Sequence, residues 1–324
     1  MKQSNITVVS MTQKSTPFYH DFGQNEDAAE IADVRLALPR IFDLVSEENG
    51  VYRSDPEQIV GIFTRNRVFG GQLFTQFYMV AKEEAKKRGY QVQRLTVLFR
   101  RPGKANQPIR YSHDSNRPMN STFLSLKAEQ NDQMDLMPFF LRGIPKPLDC
   151  LELKSGKSTL HLDSWLQKYG NNSLNVAKLD EKSEIFELRP VDLNTFGGLN
   201  SDQKVIRCWA RLAESLRKVE IKEPLFVPMA ISDFLSCHPA IVALDQMRIR
   251  FTSGASLSHR CTFHRHNRFD AKAFFLVEIR LDCLNKSGLY SGNVFTQDGQ
   301  CILSFIQSNF NQYDITTEDL KSRL

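Results

Sequence analysis

Two side chains in the C-terminal half stand where their chemistry is out of keeping with their neighbours. Pro224 and Pro228 suit a helix start, so residues 228 to 237 read as a short helix that Pro239 then disrupts. On that helix Asp233 falls four residues after Met229 and four before Cys237, a carboxylate in an apolar stripe. An ionised carboxylate without partners is costly to bury, so Asp233 is either frayed into solvent or held by donors. The second residue is Gln307. Cys301, Leu303, Phe305 and Gln307 alternate on one strand face, and an amide that extends an apolar row must find a partner if it is buried. A carboxylate held in such a setting can act as a general base. The plainer alternatives are a hydrogen bond to nearby backbone for Asp233 and a structural role for Gln307.

The elements that must position these residues are legible around them. Phe275, Val277, Ile279, Leu281 and Cys283 alternate with Leu276, Glu278, Arg280 and Asp282, the period of a strand with one buried face. Asn285 to Gly288 reads as a turn, a strand follows through Phe295, and Asp298-Gly299 supplies the positive-φ positions of a tight hairpin. In the first half Leu73, Phe77, Val80 and Ala81 mark one face of a helix that starts after Gly70-Gly71 and stops at Gly89. Segments 93–100, 108–113 and 122–128 are short enough, and bounded well enough by turn residues, to be strands. A helix followed by several strands is an α+β pattern with an antiparallel sheet.

The whole chain of 324 residues corresponds to about two domains at ~150 residues each. Residues 1–35 are rich in Gln, Ser, Asn and Thr and read as a mobile tail. The polar stretch 151–184 reads as a connector between halves at 36–150 and 185–315, with a tail at 316–324. Lys and Arg exceed Asp and Glu by 42 to 37, a balance that favours small anions and is too dispersed for nucleic acid. Mean hydropathy is −0.37, and no apolar stretch is expected to reach the ~18 residues of a membrane span. No secretory signal is read at the start. The six cysteines include no C-x-x-C pair, so reduced thiols, several of them in the core, are expected. His259, His264 and His266 read as core or rim histidines, and no metal site or cofactor is expected. Gly156-Lys157-Ser158 imitates the end of a phosphate loop, but the earlier glycine such a loop needs is replaced by Leu151.

Several short pieces, collinear over residues 38 to 312, resemble the acyl-CoA thioesterase II family, and its peroxisomal members most. They are Arg67-Val68-Phe69-Gly70-Gly71-Gln72, Phe99-Arg100-Arg101-Pro102-Gly103, Glu187-Leu188-Arg189-Pro190-Val191, Trp209-Ala210-Arg211 and Ser232-Asp233. The clearest are Ser256-Leu257-Ser258-His259, Phe263-His264-Arg265, Thr296-Gln297-Asp298-Gly299 and Gln307. The resemblance implies an α+β tandem double hotdog, each half an antiparallel sheet wrapped around a central helix. It also implies hydrolysis of fatty acyl-CoA to free acid and CoA. Carried over by motif, the family's carboxylate, hydroxyl and amide are Asp233, Ser256 and Gln307, so two of its three residues are those already singled out as polar on apolar faces. Asp233 would deprotonate a water while Ser256 and Gln307 fix it. Gly70 and Gly71 are candidates to polarise the carbonyl through backbone N–H groups, with close packing as their plainer reading. Arg101, beside Arg100 and Lys104, is a candidate contact for the CoA phosphates.

The first half departs from the family pattern at Leu95-Thr96-Val97-Leu98 and between Arg117 and Phe123, and the second half at Ser258, Arg260 and Thr262. These departures bear on substrate preference and motivate an alternative function, a non-catalytic acyl-CoA-binding or regulatory hotdog protein. A hotdog dehydratase ranks last, because Asp233 and His238 do not form the Asp–His pair on one loop that such an enzyme uses. The terminal Ser322-Arg323-Leu324 approximates the Ser-Lys-Leu address read by a peroxisomal import receptor. The peroxisome is therefore the expected location, with the cytoplasm as alternative. A homo-oligomer is expected, since hotdog proteins commonly self-associate.

Overall fold

The first-half helix, α1 (Gly70–Lys87), begins and ends where its residues require. Leu73, Phe77, Val80 and Ala81 are all buried, as the period predicts, and Phe74 and Tyr78 widen the stripe. At the far end Gly89 adopts a φ of 74°, and Tyr90 N–H reaches back to the Ala85 carbonyl at 2.9 Å. This left-handed glycine cap satisfies carbonyls the helix leaves open. Lys86 and Lys87 sit in the last turn, at the negative end of the helix dipole.

The computed structural model describes residues 38, 42–54, 68–99, 103–104, 107–113, 124–130, 185–196, 205–247, 249–265, 269–284 and 287–314. The expected tails and the connector at 151–184 lie outside them. In the first half, β1 (Leu44–Ser46), β2 (Tyr52–Ser54), β4 (Arg110–His113) and β5 (Leu126–Glu129) form a four-stranded antiparallel sheet in the order β1-β2-β4-β5. The intervening strand β3 (Arg94–Leu98) does not join it. Instead β3 pairs with β8 (Arg250–Phe263) of the second half, Leu95 opposite Cys261 and Val97 opposite His259. The second sheet thus has seven strands, β3-β8-β11-β10-β9-β7-β6, and runs across both halves. Its other members are β6 (Phe186–Pro190), β7 (Val205–Leu212), β9 (Phe275–Leu284), β10 (Ser287–Phe295) and β11 (Cys301–Asp314).

Among the described residues of the second half the α-helices are a single turn, α2 (Leu193–Phe196), then α3 (Phe226–Phe234) and α4 (His238–Gln246). Pro239 does not stop a helix. It lies in the first turn of α4, where its missing N–H costs nothing. Residues Phe226–Leu244 also correct the hydropathy reading, for they make a 19-residue run of mean hydropathy 1.4, long enough to span a bilayer by composition alone. That run is split into two helices and 72% of it is buried within the fold, as befits core helices. At the 296–300 hairpin only Gly299 takes a positive φ, 82°, so the turn needs one special residue and not two.

The motif residues Glu187, Arg189 and Arg211 turn out to be structural. Glu187 accepts from Arg189 Nε at 2.8 Å and Arg211 Nε at 2.7 Å, and both guanidinium groups lie over the Phe274 ring. Burial pushes the Glu187 carboxyl up, but the bonds from Arg211 and Arg189 outweigh it and hold it below the usual carboxylate range. This cluster ties β6, β7 and the start of β9 together on one sheet face.

Candidate active site

Asp233 lies on the last turn of α3, Ser256 on β8 and Gln307 on β11, and the fold brings them into mutual contact. Gln307 Nε2 donates to Asp233 Oδ1 at 2.8 Å and to Ser256 Oγ at 2.7 Å. Ser256 Oγ donates to the same carboxylate oxygen at 3.2 Å. Asp233 is 8% exposed and Gln307 fully buried, while Ser256 is half-buried. The carboxylate is therefore held by donors and is not frayed into solvent, and the amide at the end of the apolar row has found its partners. Both demands raised by the sequence are met by the same contact.

The local reasons are plain. β11 puts Phe305, Gln307, Asn309 and Asn311 on its inner face, and α3 packs across that face with Ala230 and Asp233 toward α1. α1 meets α3 end-on. A methyl group placed on Gly70 would lie 2.7 Å from Asp233 Oδ2, and one on Gly71 would lie 3.0 Å from the Ala230 Cα and 2.5 Å from the Phe69 ring. Gly71 is thus explained by close packing. Gly70 stands against the second oxygen of Asp233, with the positive end of an 18-residue helix behind it. Arg101 lies outside the described residues, so the structure neither joins it to this cluster nor separates it.

Reading the sequence missed the other side of the site. His259 Nδ1 hydrogen-bonds Gln307 Oε1, and its Nε2 lies 3.0 Å from Ser232 Oγ and 3.2 Å from Cys261 Sγ. Burial pushes the His259 imidazole below its ordinary value, although the Asp233 charge and the Gln307 contact oppose that shift. The signal that could have found it is register, since His259 stands directly opposite Gln307 in the β8–β11 ladder. Along the same row Asn309 Nδ2 reaches Cys237 Sγ at 2.7 Å and Ser236 Oγ at 3.4 Å, and Tyr290 donates to Asn311 Oδ1 at 3.2 Å. Burial and the nearby Asp233 charge push the Cys237 thiol up to about 11, so it remains a thiol.

Other candidates resolve as structural. His238 bonds the Phe196 carbonyl through Nε2 at 2.9 Å and stacks on the Phe196 ring, so its bonded nitrogen serves α2 and not Asp233. His264 pairs with Ser304 Oγ at 2.9 Å, and His266 lies outside the described residues. Among the described residues no group of three or more His, Cys, Asp or Glu is arranged to hold a metal ion, and the described cysteines are all free thiols.

No protein-family model matches the sequence, and no curated protein matches it. Solved structures do. The acyl-CoA thioesterase II TesB2 of Mycobacterium marinum superposes with a TM-score of 0.60 at 20% identity, covering 86% of this chain and 98% of its own. The tesB protein of Mycobacterium avium subsp. paratuberculosis gives 0.60 at 17% identity, with 85% and 98% covered. A structure from Thermobifida fusca assigned as a thioesterase II gives 0.56 at 11% identity, with 84% and 96% covered. These similarities define the class of fold: the chain is a tandem double hotdog, α+β, with antiparallel sheets around its helices.

Proposed function

We propose that the protein hydrolyses acyl-CoA thioesters, with Asp233 as general base and Ser256 and Gln307 as the groups that orient it and the attacking water. The observation that carries this reading is the closed set of hydrogen bonds among a buried carboxylate, an amide and a hydroxyl drawn from three separate elements. The likeness to the acyl-CoA thioesterase II TesB2 of Mycobacterium marinum supports it at the level of fold.

The chemistry follows from the two carboxylate oxygens. Oδ1 already accepts two hydrogen bonds, which leaves Oδ2 to take a proton. A water at Oδ2 would lose that proton as its oxygen bonds to the thioester carbonyl carbon. The negative charge that develops on the carbonyl oxygen is of the kind a helix N-terminus stabilises, and α1 begins at Gly70-Gly71, whose N–H groups have no acceptor within the helix. The C–S bond then breaks, the proton held on Asp233 passes to the departing sulfur, and acid and CoA leave.

The remaining parts of the reading are proposals on the same footing. Fatty acyl-CoA is the substrate, Arg101 contacts CoA phosphates, the protein self-associates, and Ser322-Arg323-Leu324 delivers it to the peroxisome through an import receptor. Thiol release from a panel of acyl-CoAs tests the activity. Asp233→Asn, which keeps shape and loses basicity, should lower turnover by about 10²–10⁴-fold with the circular dichroism spectrum unchanged. A folded Asp233→Asn protein with near-normal turnover, or a wild type that binds acyl-CoA and releases no thiol, would overturn the reading. The second outcome would favour the binding-protein alternative.

A further inference from the structure

Gln307 can serve Asp233 only if its amide faces the right way. Its two ends are nearly identical in shape and opposite in chemistry, and the NH₂ end must point at the carboxylate. With the amide reversed, Oε1 would oppose Asp233 Oδ1 and repel it. Asp233 and Ser256 fix one end of this choice, and the other end meets His259.

We infer that His259 is a positioning residue for the reaction: its Nδ1–H, donated to Gln307 Oε1, locks the amide with its NH₂ toward Asp233 and Ser256. The inference rests on the hydrolytic reading given above. Oε1 can only accept, so Nδ1 must carry a proton. Nε2 then needs a donor if the ring is neutral, and two stand in reach, the Ser232 hydroxyl and the Cys261 thiol. Burial pushes that thiol well up, so it keeps its proton. Ser232 Oγ donates its one hydrogen to the Met229 carbonyl at 2.7 Å, which leaves the Cys261 thiol as the donor to Nε2. The imidazole is thus held between the Cys261 thiol at Nε2 and the Gln307 amide at Nδ1, and that amide presents its other end to Asp233.

The imidazole has little freedom to do anything else. It is fully buried, meets Phe74 edge-on at 4.7 Å and stacks along Phe305 at 5.8 Å. Cross-strand register puts it directly opposite Gln307 on the same sheet face. Removing its donor would leave Oε1 as a buried acceptor without that partner and let the amide turn.

His259→Leu removes the donor, whereas His259→Asn can place an N–H where Nδ1 stood. His259→Leu should lower kcat by about 10–100-fold, the scale of losing one preorganised polar contact, with KM for acyl-CoA changed less than about threefold. His259→Asn should recover most of that loss. A folded His259→Leu protein at full kcat, or an Asn variant no better than Leu, would overturn the assignment. A second arm needs no substrate. In ¹⁵N NMR of the wild-type protein at neutral pH, His259 should show a protonated Nδ1 and a bare Nε2, and Gln307→Ala should shift the Nδ1 signal. The opposite tautomer would sink the lock even in an active enzyme. A wild type inert toward acyl-CoA would instead remove the function and leave the tautomer to decide the lock.

Discussion

Asp233 keeps its two oxygens in different company, and that asymmetry is the main residue-scale feature of the site. Oδ1 is held by Gln307 and Ser256, while Oδ2 faces the first residue of α1 with no room for a methyl group between them. The two glycines there consequently have separate duties, and substituting each should fail differently. Gly70→Ala would put its Cβ 2.7 Å from Oδ2 and push aside a carboxylate that is held from the other side. Turnover should fall at least about tenfold, with a smaller loss of stability than at Gly71, because the clash is with the end of a side chain and not with backbone. Gly71→Ala meets the Ala230 backbone, which cannot swing away, and should cost about 1–3 kcal/mol of stability through overpacking. Urea unfolding and thiol-release rates measured on both variants separate the cases. Equal effects on rate and stability from the two substitutions would contradict the division of roles.

At the scale of elements, the site depends on α1 and α3 meeting, and a charge pair far from Asp233 in sequence helps to hold that junction. Lys82 of α1 donates to Glu223 Oε2 at 2.7 Å, while Glu223 Oε1 accepts the Leu225 N–H just before α3. Glu223 is buried and Lys82 half-exposed, so the pair is partly screened. Lys82→Met should lower stability by about 1–2 kcal/mol, less than for a fully buried pair, because a carboxylate is left without its cation. Adding Glu223→Gln should restore part of that loss. A Lys82→Met protein as stable as wild type in urea would show that solvent already satisfies Glu223.

These elements differ in how far the sequence announces them. α1, β9 and the β10–β11 hairpin follow from periodicity and glycine, since each shows a one-faced apolar period and α1 and the hairpin also pair backbone groups locally. Asp233 and Gln307 stood out for the same reason, each a polar group at an apolar position. Ser256 carried no such mark, because a half-buried serine on a strand fits solvent or core equally well, and only the family resemblance nominated it. β3 leaving its own half for β8, the ion pair across 141 residues, and His259 opposite Gln307 depend on strand register and long-range pairing. Local pattern holds no record of those. Pro239 shows the limit from the other side, since the same residue ends one helix or begins the next according to where the chain turns.

At the scale of the whole molecule, the buried histidines set how the fold responds to acid. Burial drives the His238 imidazole down to about 4, against the opposing bond to the Phe196 carbonyl, and lowers His259 in the same sense. In the unfolded chain a histidine titrates near ~6.5. Between these values the unfolded state binds a proton that the folded state refuses, so stability is fully present above about pH 6.5 and falls as pH drops toward 4. For His238 alone the loss over that interval amounts to about 3 kcal/mol. Glu187 and Glu84 act further down, since their carboxyls are held below the ordinary 4.5 and their contribution fades only as they protonate. The melting temperature should therefore begin to fall near pH 6.5, well before carboxylates titrate. His238→Gln, which can still donate to the Phe196 carbonyl, should flatten that first part of the curve and leave the carboxylate part in place. If the variant's melting temperature falls as steeply between pH 6.5 and 4 as the wild type's, the acid sensitivity does not arise at His238.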